Sequence, residues 1–226
     1  MTHMFIALKT LENKNIKLYK KDLLFYLAGN IIPDLDIFLG NPYNTHNRMI
    51  GFANYLEKAN YNKHFIEGLR HHIKVDAVSH STYIIPKAKG LSRIFNIDLE
   101  ISHGFIEDAI NYNLFIERPS LAKTYVKINK FIQKSDIPNQ LATYFDVPLQ
   151  KMKRIMRDAD FTFDPKTDYR NPFHAIKGLV IIFTYLRRHL RLISIKKLIY
   201  IKSVSQNITK KDYLRFLRKT IASCMN

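Results

Sequence analysis

The sequence predicts an all-α fold, a single compact multi-helix domain, and three observations carry that prediction. The 226-residue chain is 46% apolar, enough for one substantial core. It holds only 7 Gly and 8 Pro, too few for a protein built on many tight turns, while abundant Lys, Leu, Ile, Phe and Tyr suit helices with aromatic packing. Its apolar residues recur at intervals of three and four through several segments.

In chain order, Phe5, Leu8 and Leu11 lie three apart and predict a helix over 2–11 with His3 at its start. A second apolar helix is expected over 20–28, with Asp22 near its beginning and its end at Gly29-Asn30, before Pro33. Residues 31–40 (IIPDLDIFLG) predict a loop or short turn carrying Asp34 and Asp36. In 41–46 (NPYNTH), Asn44 or Thr45 can cap a helix over 46–60.

A long helix is predicted over 62–81, with Phe65, Leu69, Ile73 and Val75 as its apolar positions. Pro86, Lys87 and Gly90 predict a turn that separates it from a helix over 99–115. In the latter Ile101, Phe105 and Ala109 recur at i,i+4, and Ile106 and Ile110 widen the stripe. Gly104 disfavours that helix by roughly 1 kcal/mol relative to Ala, so periodicity rather than propensity predicts it. Further helices are expected over 121–133, 139–159, 171–188, 192–204 and 210–224, with a break at Pro148. Residues 161–170 (FTFDPKTDYR) read as a polar turn.

The formal charge is +17, and it is unevenly spread. Residues 1–119 hold 14 Lys/Arg against 12 Asp/Glu, whereas 120–226 hold 22 against 7. A basic surface attracts phosphate, nucleic acid or an anionic membrane without choosing among them, and a solvated Lys-rich face is the plain alternative. Cys224 is the single cysteine, so no intramolecular disulfide forms. The start MTHMFIALKTLENKN lacks the pattern of a signal peptide. The longest apolar run, 178–186, is bounded by Lys177 and Arg187 and suits a buried helix better than a bilayer span. The expected location is cytoplasmic or membrane-peripheral, with no obligate protein partner implied.

Imidazole and carboxylate are suitable zinc ligands, and eight residues form the candidate set: His3, Asp34, His46, His72, Asp76, His80, His103 and Glu107. His72, Asp76 and His80 are spaced four apart, and His103 and Glu107 repeat that step. On helices each i,i+4 pair projects from one face. His72 and His80 lie two turns apart, roughly 12 Å, too far to hold one ion but suited to two different ions. His71 is one residue out of step, about 100° round the axis from His72. His64, His71, His174 and His189 are assigned structural or surface roles. Residues 1–118 are therefore expected to form a metal-site helical core, and 119–226 a basic helical continuation packed on the same domain.

The order and spacing of these residues resemble the zinc-dependent phospholipase C family, related in fold to the helical P1-type nucleases. The resemblance covers roughly residues 2–114. It rests on Thr2-His3, Pro33-Asp34, Thr45-His46-Asn47, the H-x-x-x-D-x-x-x-H pattern from His72 to His80, and the H-x-x-x-E pattern from His103 to Glu107. It implies a mostly helical protein with up to three zinc ions in a cleft, two expected here and a third possible. By resemblance, Asp34, His46, His72 and Asp76 hold one ion, and His80, His103 and Glu107 the second, with a position left for solvent. His3, Asp76 and N-terminal main-chain groups belong to the third. The step from Asp76 to His80 is shorter than in the secreted bacterial phospholipases.

The implied activity is phosphodiester hydrolysis, with zinc acidifying water and stabilising charge on the phosphoryl oxygens, and with Asp34 as ligand or catalytic base. The expected substrate is a phospholipid head group at an anionic membrane surface. A P1-type single-stranded nuclease or nucleotidase is the alternative within the same chemistry. A non-catalytic basic protein that binds membrane or nucleic acid and retains the fold is the alternative outside enzymology.

Overall fold

Apolar side chains at every third or fourth position build each helix of the computed structural model, which describes residues 2–39, 47–163 and 195–225. No strand occurs among the described residues. Helix α1 (Thr2–Asn13) buries Met4, Ile6, Ala7 and Leu11. Helix α2 (Lys20–Gly29) has Asp22 in its first turn, where a carboxylate favours the positive end of the helix dipole. The chain then tightens into a 3-10 turn, Ile32–Ile37, which carries Asp34 where the sequence left a choice between loop and turn.

Helix α3 (Asn47–Lys58) leads to α4 (Lys63–Ser79), whose start is capped by the Asn62 side chain accepting from the Phe65 N–H. Helix α4 is the axis of the fold: α1, α2, α3 and the C-terminal helix all pack on it. Its crossing with α2 is made by two glycines facing each other. A Cβ added to Gly68 would lie 2.1 Å from the Tyr26 carbonyl oxygen, and one added to Gly29 would lie 2.2 Å from the Phe65 carbonyl oxygen.

The turn expected around Pro86–Gly90 is absent. Helix α4 instead passes through one π-helical turn, His80–Ile84, into α5 (Ile85–Phe95). Pro86 lacks an N–H and its ring crowds the carbonyl four residues back, which would break a regular helix. The π turn re-routes the ladder just before that point: the Ile85 N–H bonds to the carbonyl of His80, five residues back. Pro86 then falls in the first turn of α5, where a proline is tolerated. The helix stops later, at Asn96, which takes a left-handed conformation with φ 47°.

Helix α6 (Leu99–Glu117) starts at the Asp98 cap and runs two residues past the expected end. It packs on α5, and Ile101, Phe105, Ile106 and Ile110 along it are buried. Helix α7 (Ser120–Lys134) follows, and the expected break at Pro148 separates α8 (Ile137–Tyr144) from α9 (Leu149–Phe163). Residues 161–163, expected in a turn, continue α9; the rest of that segment and the predicted helix over 171–188 lie outside the described residues.

Helix α10 (Ile195–Lys210) packs on α6, and α11 (Tyr213–Met225) packs on α4 and α1. The contact between α6 and α10 contains a buried ion pair, Asp108 with Lys202 at 3.1 Å, and the Asn113 amide donating to Thr209 Oγ1. No described helix is long and apolar enough to cross a membrane.

Candidate metal centre

Helix α4 and the π turn that continues it present His72, Asp76 and His80 on one side, one helical turn apart, and their surroundings fix their orientation. His72 is fully buried and its Nδ1 lies 2.8 Å from the carbonyl oxygen of Asn30. A carbonyl only accepts, so Nδ1 carries the proton and the lone pair of the neutral ring is on Nε2. That Nε2 faces two carboxylates, Asp34 Oδ1 at 3.6 Å and Asp76 Oδ2 at 3.8 Å.

His3, in the first turn of α1, stacks on His72 with ring centroids 3.9 Å apart. Its Nε2 lies 3.1 Å from Asp76 Oδ1. The start of α1 is tied to α6 because both the main-chain N–H and the hydroxyl of Thr2 donate to Asn111 Oδ1, at 3.0 and 2.7 Å.

The second group forms where the π turn meets α6. His80 Nε2 is 3.2 Å from Glu107 Oε1, His103 Nε2 is 3.1 Å from the same oxygen, and the two imidazole nitrogens are 3.3 Å apart. Three donor atoms thus form a nearly equilateral triangle. Zinc–nitrogen and zinc–oxygen bonds of about 2.0–2.2 Å at a tetrahedral angle separate neighbouring ligand atoms by about 3.3 Å. The triangle therefore has the size of one face of a zinc tetrahedron.

Asp76 joins the two groups. Its Oδ1 lies 3.1 Å from His3 Nε2 and 3.6 Å from His80 Nε2, while Oδ2 faces His72. In the first group His3, His72 and Asp76 offer ligand atoms within 4.8 Å of one another, as do His80, His103 and Glu107 in the second. Of the eight candidates the fold thus brings together His3, Asp34, His72, Asp76, His80, His103 and Glu107. His46 lies outside the described residues, as do His174 and His189. His64 pairs with Glu67 at 3.0 Å, away from the cluster.

The electrostatics of the cluster suit a cation. Burial pulls the His80 imidazole down, but the Glu107 and Asp76 carboxylates outweigh it and lift His80 to about 9. Burial also opposes charge on His3 and His103, and their carboxylate neighbours again raise both above the ordinary value. Glu107 is pushed up by burial and, more strongly, held well below its usual range by His103 and His80. Three carboxylates thus attract protons onto three imidazoles, and divalent cations would replace those protons with equivalent charge.

The sequence did not single out Asn30, which is fully buried and aligns two adjacent imidazoles. Its carbonyl accepts a hydrogen bond from the His72 Nδ1–H, its Oδ1 lies 2.8 Å from His71 Nδ1, and its Nδ2 donates to the Tyr26 carbonyl. Burial, with the positive charge of His3, Lys14 and Lys74, lowers His71 to about 4 and keeps it neutral. A polar residue just after an apolar helix gives no sequence signal of this role, because its partners lie 41 and 42 residues away. Comparison with family models, curated proteins and solved structures finds no match for this chain.

The shifted imidazoles set an expected pH dependence. His80 gains its proton on folding at any pH between its ordinary value near 6.5 and about 9. The stability it lends the metal-free protein is complete below 6.5 and lost as pH rises through 9. A divalent cation held by His80 would have to displace that proton, so apparent zinc affinity should rise about tenfold per pH unit for each proton displaced over this window and flatten above it. Competition titration with a chelator of known affinity, at several pH values, measures the slope. A flat profile between pH 6.5 and 9 would exclude His80 as a ligand.

Proposed function

We propose that the chain is a zinc-dependent phosphodiester hydrolase of the phospholipase C type, acting on phospholipid head groups. The observation that carries this reading is the His80–His103–Glu107 triangle, placed beside His3, His72 and Asp76 with one carboxylate between the groups. Zinc bound there would supply Lewis acidity toward phosphoryl oxygens and lower the pKa of water.

The chain's own residues do the rest. Asn30 holds His72 in the tautomer that presents Nε2, and Thr2 with Asn111 fixes the helix start that presents His3. Asp34 and Glu107 are the least buried acids of the cluster, with side chains 28% and 30% exposed, so substrate approaches from their side. Asp34 is placed to accept a proton from an incoming water as general base. Lys and Arg on α10 and α11 flank the exposed side chains of Tyr200 and Leu214, a combination suited to an anionic lipid surface.

The test is zinc quantification on untagged protein, followed by parallel assays on phosphatidylcholine, anionic phospholipid vesicles and single-stranded DNA. Two zinc ions per chain and phospholipid turnover are expected. His72→Ala should lower zinc content and rate together. Preferential cleavage of DNA would move the chain to the nuclease alternative, and zinc without turnover of any substrate would make it a binding protein. Full zinc content in His72→Ala would remove the assigned cluster.

A further inference from the structure

Val78 and Thr82 stand two residues before and after His80, so they project from the side of the helix turned away from the metal cluster. Helix α11 lies across that side, and between them is a groove of about 570 Å³, within the size range of small-molecule sites. Its base is firm: the Phe216 ring is 4% exposed and stacks on Tyr83 with centroids 4.3 Å apart.

The charge of the groove is one-sided. Its acid, Asp212, is already engaged, accepting a hydrogen bond from the Tyr83 hydroxyl and pairing with Lys87 Nζ at 2.8 Å. Arg215 and Lys219 also line it, one helical turn apart, and make no ion pair among the described residues. Like charges at this spacing repel each other, and an anion between them relieves the repulsion. The groove also contains Thr220, which is 1% exposed and whose hydroxyl has no hydrogen-bond partner among the described residues. Buried hydroxyls are rarely left in that state.

We propose that this groove is an oxyanion site separate from the metal cluster, which takes a phosphate monoester. The phosphate sits on Arg215 and Lys219, and the organic part lies over Val78 and Phe216. Arg supplies a planar fork that matches two phosphate oxygens, and Lys adds a mobile point charge. The same phosphate chemistry is offered by a soluble ligand and by a phosphatidic acid head group.

Phenyl phosphate titrated into the zinc-loaded full chain, followed by methyl NMR, tests the site. Saturable shifts at Val78 and Ala222 are expected, with binding weakened about tenfold or more in R215A/K219A, which removes two charge-assisted contacts. Both side chains are exposed, so an unchanged thermal midpoint verifies the fold of the variant, and R215K/K219R should retain binding. In a second arm, vesicles containing phosphatidic acid are compared with phosphatidylglycerol vesicles of equal charge. Preference for phosphatidic acid that R215A/K219A abolishes, with no response to phenyl phosphate, supports a membrane source for the ligand. Equal affinity in the variant, shifts confined to methyl groups beside the metal cluster such as those of Thr2 and Ile106, or no response in either arm overturns the proposal.

Discussion

Gly68→Ala should lower the stability of the protein by about 3 kcal/mol or more, which for a chain of this size is a fall of roughly 10 °C in thermal midpoint. The added methyl would lie 2.1 Å from the Tyr26 carbonyl oxygen and 3.0 Å from the Gly29 Cα, both backbone atoms of α2. A side chain could rotate aside; a helix backbone cannot, so the two axes must separate. Helix α2 leads into Asn30 and Asp34, and α4 carries His72 and Asp76, so separation also pulls the proposed metal ligands apart. Zinc affinity should therefore fall with the midpoint. Gly90→Ala is the internal control, since a Cβ there meets nothing within 4 Å. It removes a glycine from the interior of α5 and should stabilise by up to about 1 kcal/mol. Equal midpoints for Gly68→Ala and wild type would show that the crossing tolerates a methyl.

Glu107→Gln keeps the size of the side chain and one carbonyl oxygen but removes the charge. One zinc ion per chain should be lost, and phosphodiester turnover should fall by more than about 100-fold, the upper range for disturbing residues that merely support ligands. In the metal-free protein the same change removes the counter-charge that raises His80 and His103. Both imidazoles should titrate lower, which histidine NMR reads directly. Unaltered zinc content together with unaltered imidazole titration would show that Glu107 takes no part in the cluster. His103→Ala provides the complementary case, removing an imidazole nitrogen of the cluster while Glu107 still faces His80 at 3.2 Å.

The helical class was legible because the signals for it are local. Phe65, Leu69, Ile73 and Val75 mark α4 from their spacing alone, and Ile101, Phe105 and Ala109 mark α6 in the same way. The pairing of ligands within a helix was legible for the same reason. Convergence of His3, Asp34 and the two helical sets is not a local property; residue chemistry and spacing nominated the set, and only resemblance to a known family assigned its members to particular ions.

The turn assigned to Pro86 fails for a specific reason. Proline forbids one hydrogen bond, and the chain responds by shifting the ladder at His80–Ile84 rather than by stopping the helix. Asn30 and Asn111 were invisible because asparagine serves as cap, turn or surface residue far more often than as a clamp on a buried imidazole or a helix start. The α2–α4 crossing was likewise hidden, since an isolated Gly29 reads as a helix end. Only the partner across the interface shows why no larger residue fits.

The π turn also couples length to rotation. By fitting one additional residue into a single coil, it turns everything beyond it by about 100° relative to an unbroken α-helix. Upstream, His72 and Asp76 look into the cluster of imidazoles and carboxylates; downstream, Ala88 and Leu91 are buried, and α5 meets α6. The two halves of this long rod are thus phased to separate jobs by a single inserted peptide unit. An indel at this point would act like a dial on the downstream half, swinging its oily seam away from α6 even though the composition of both halves stayed the same.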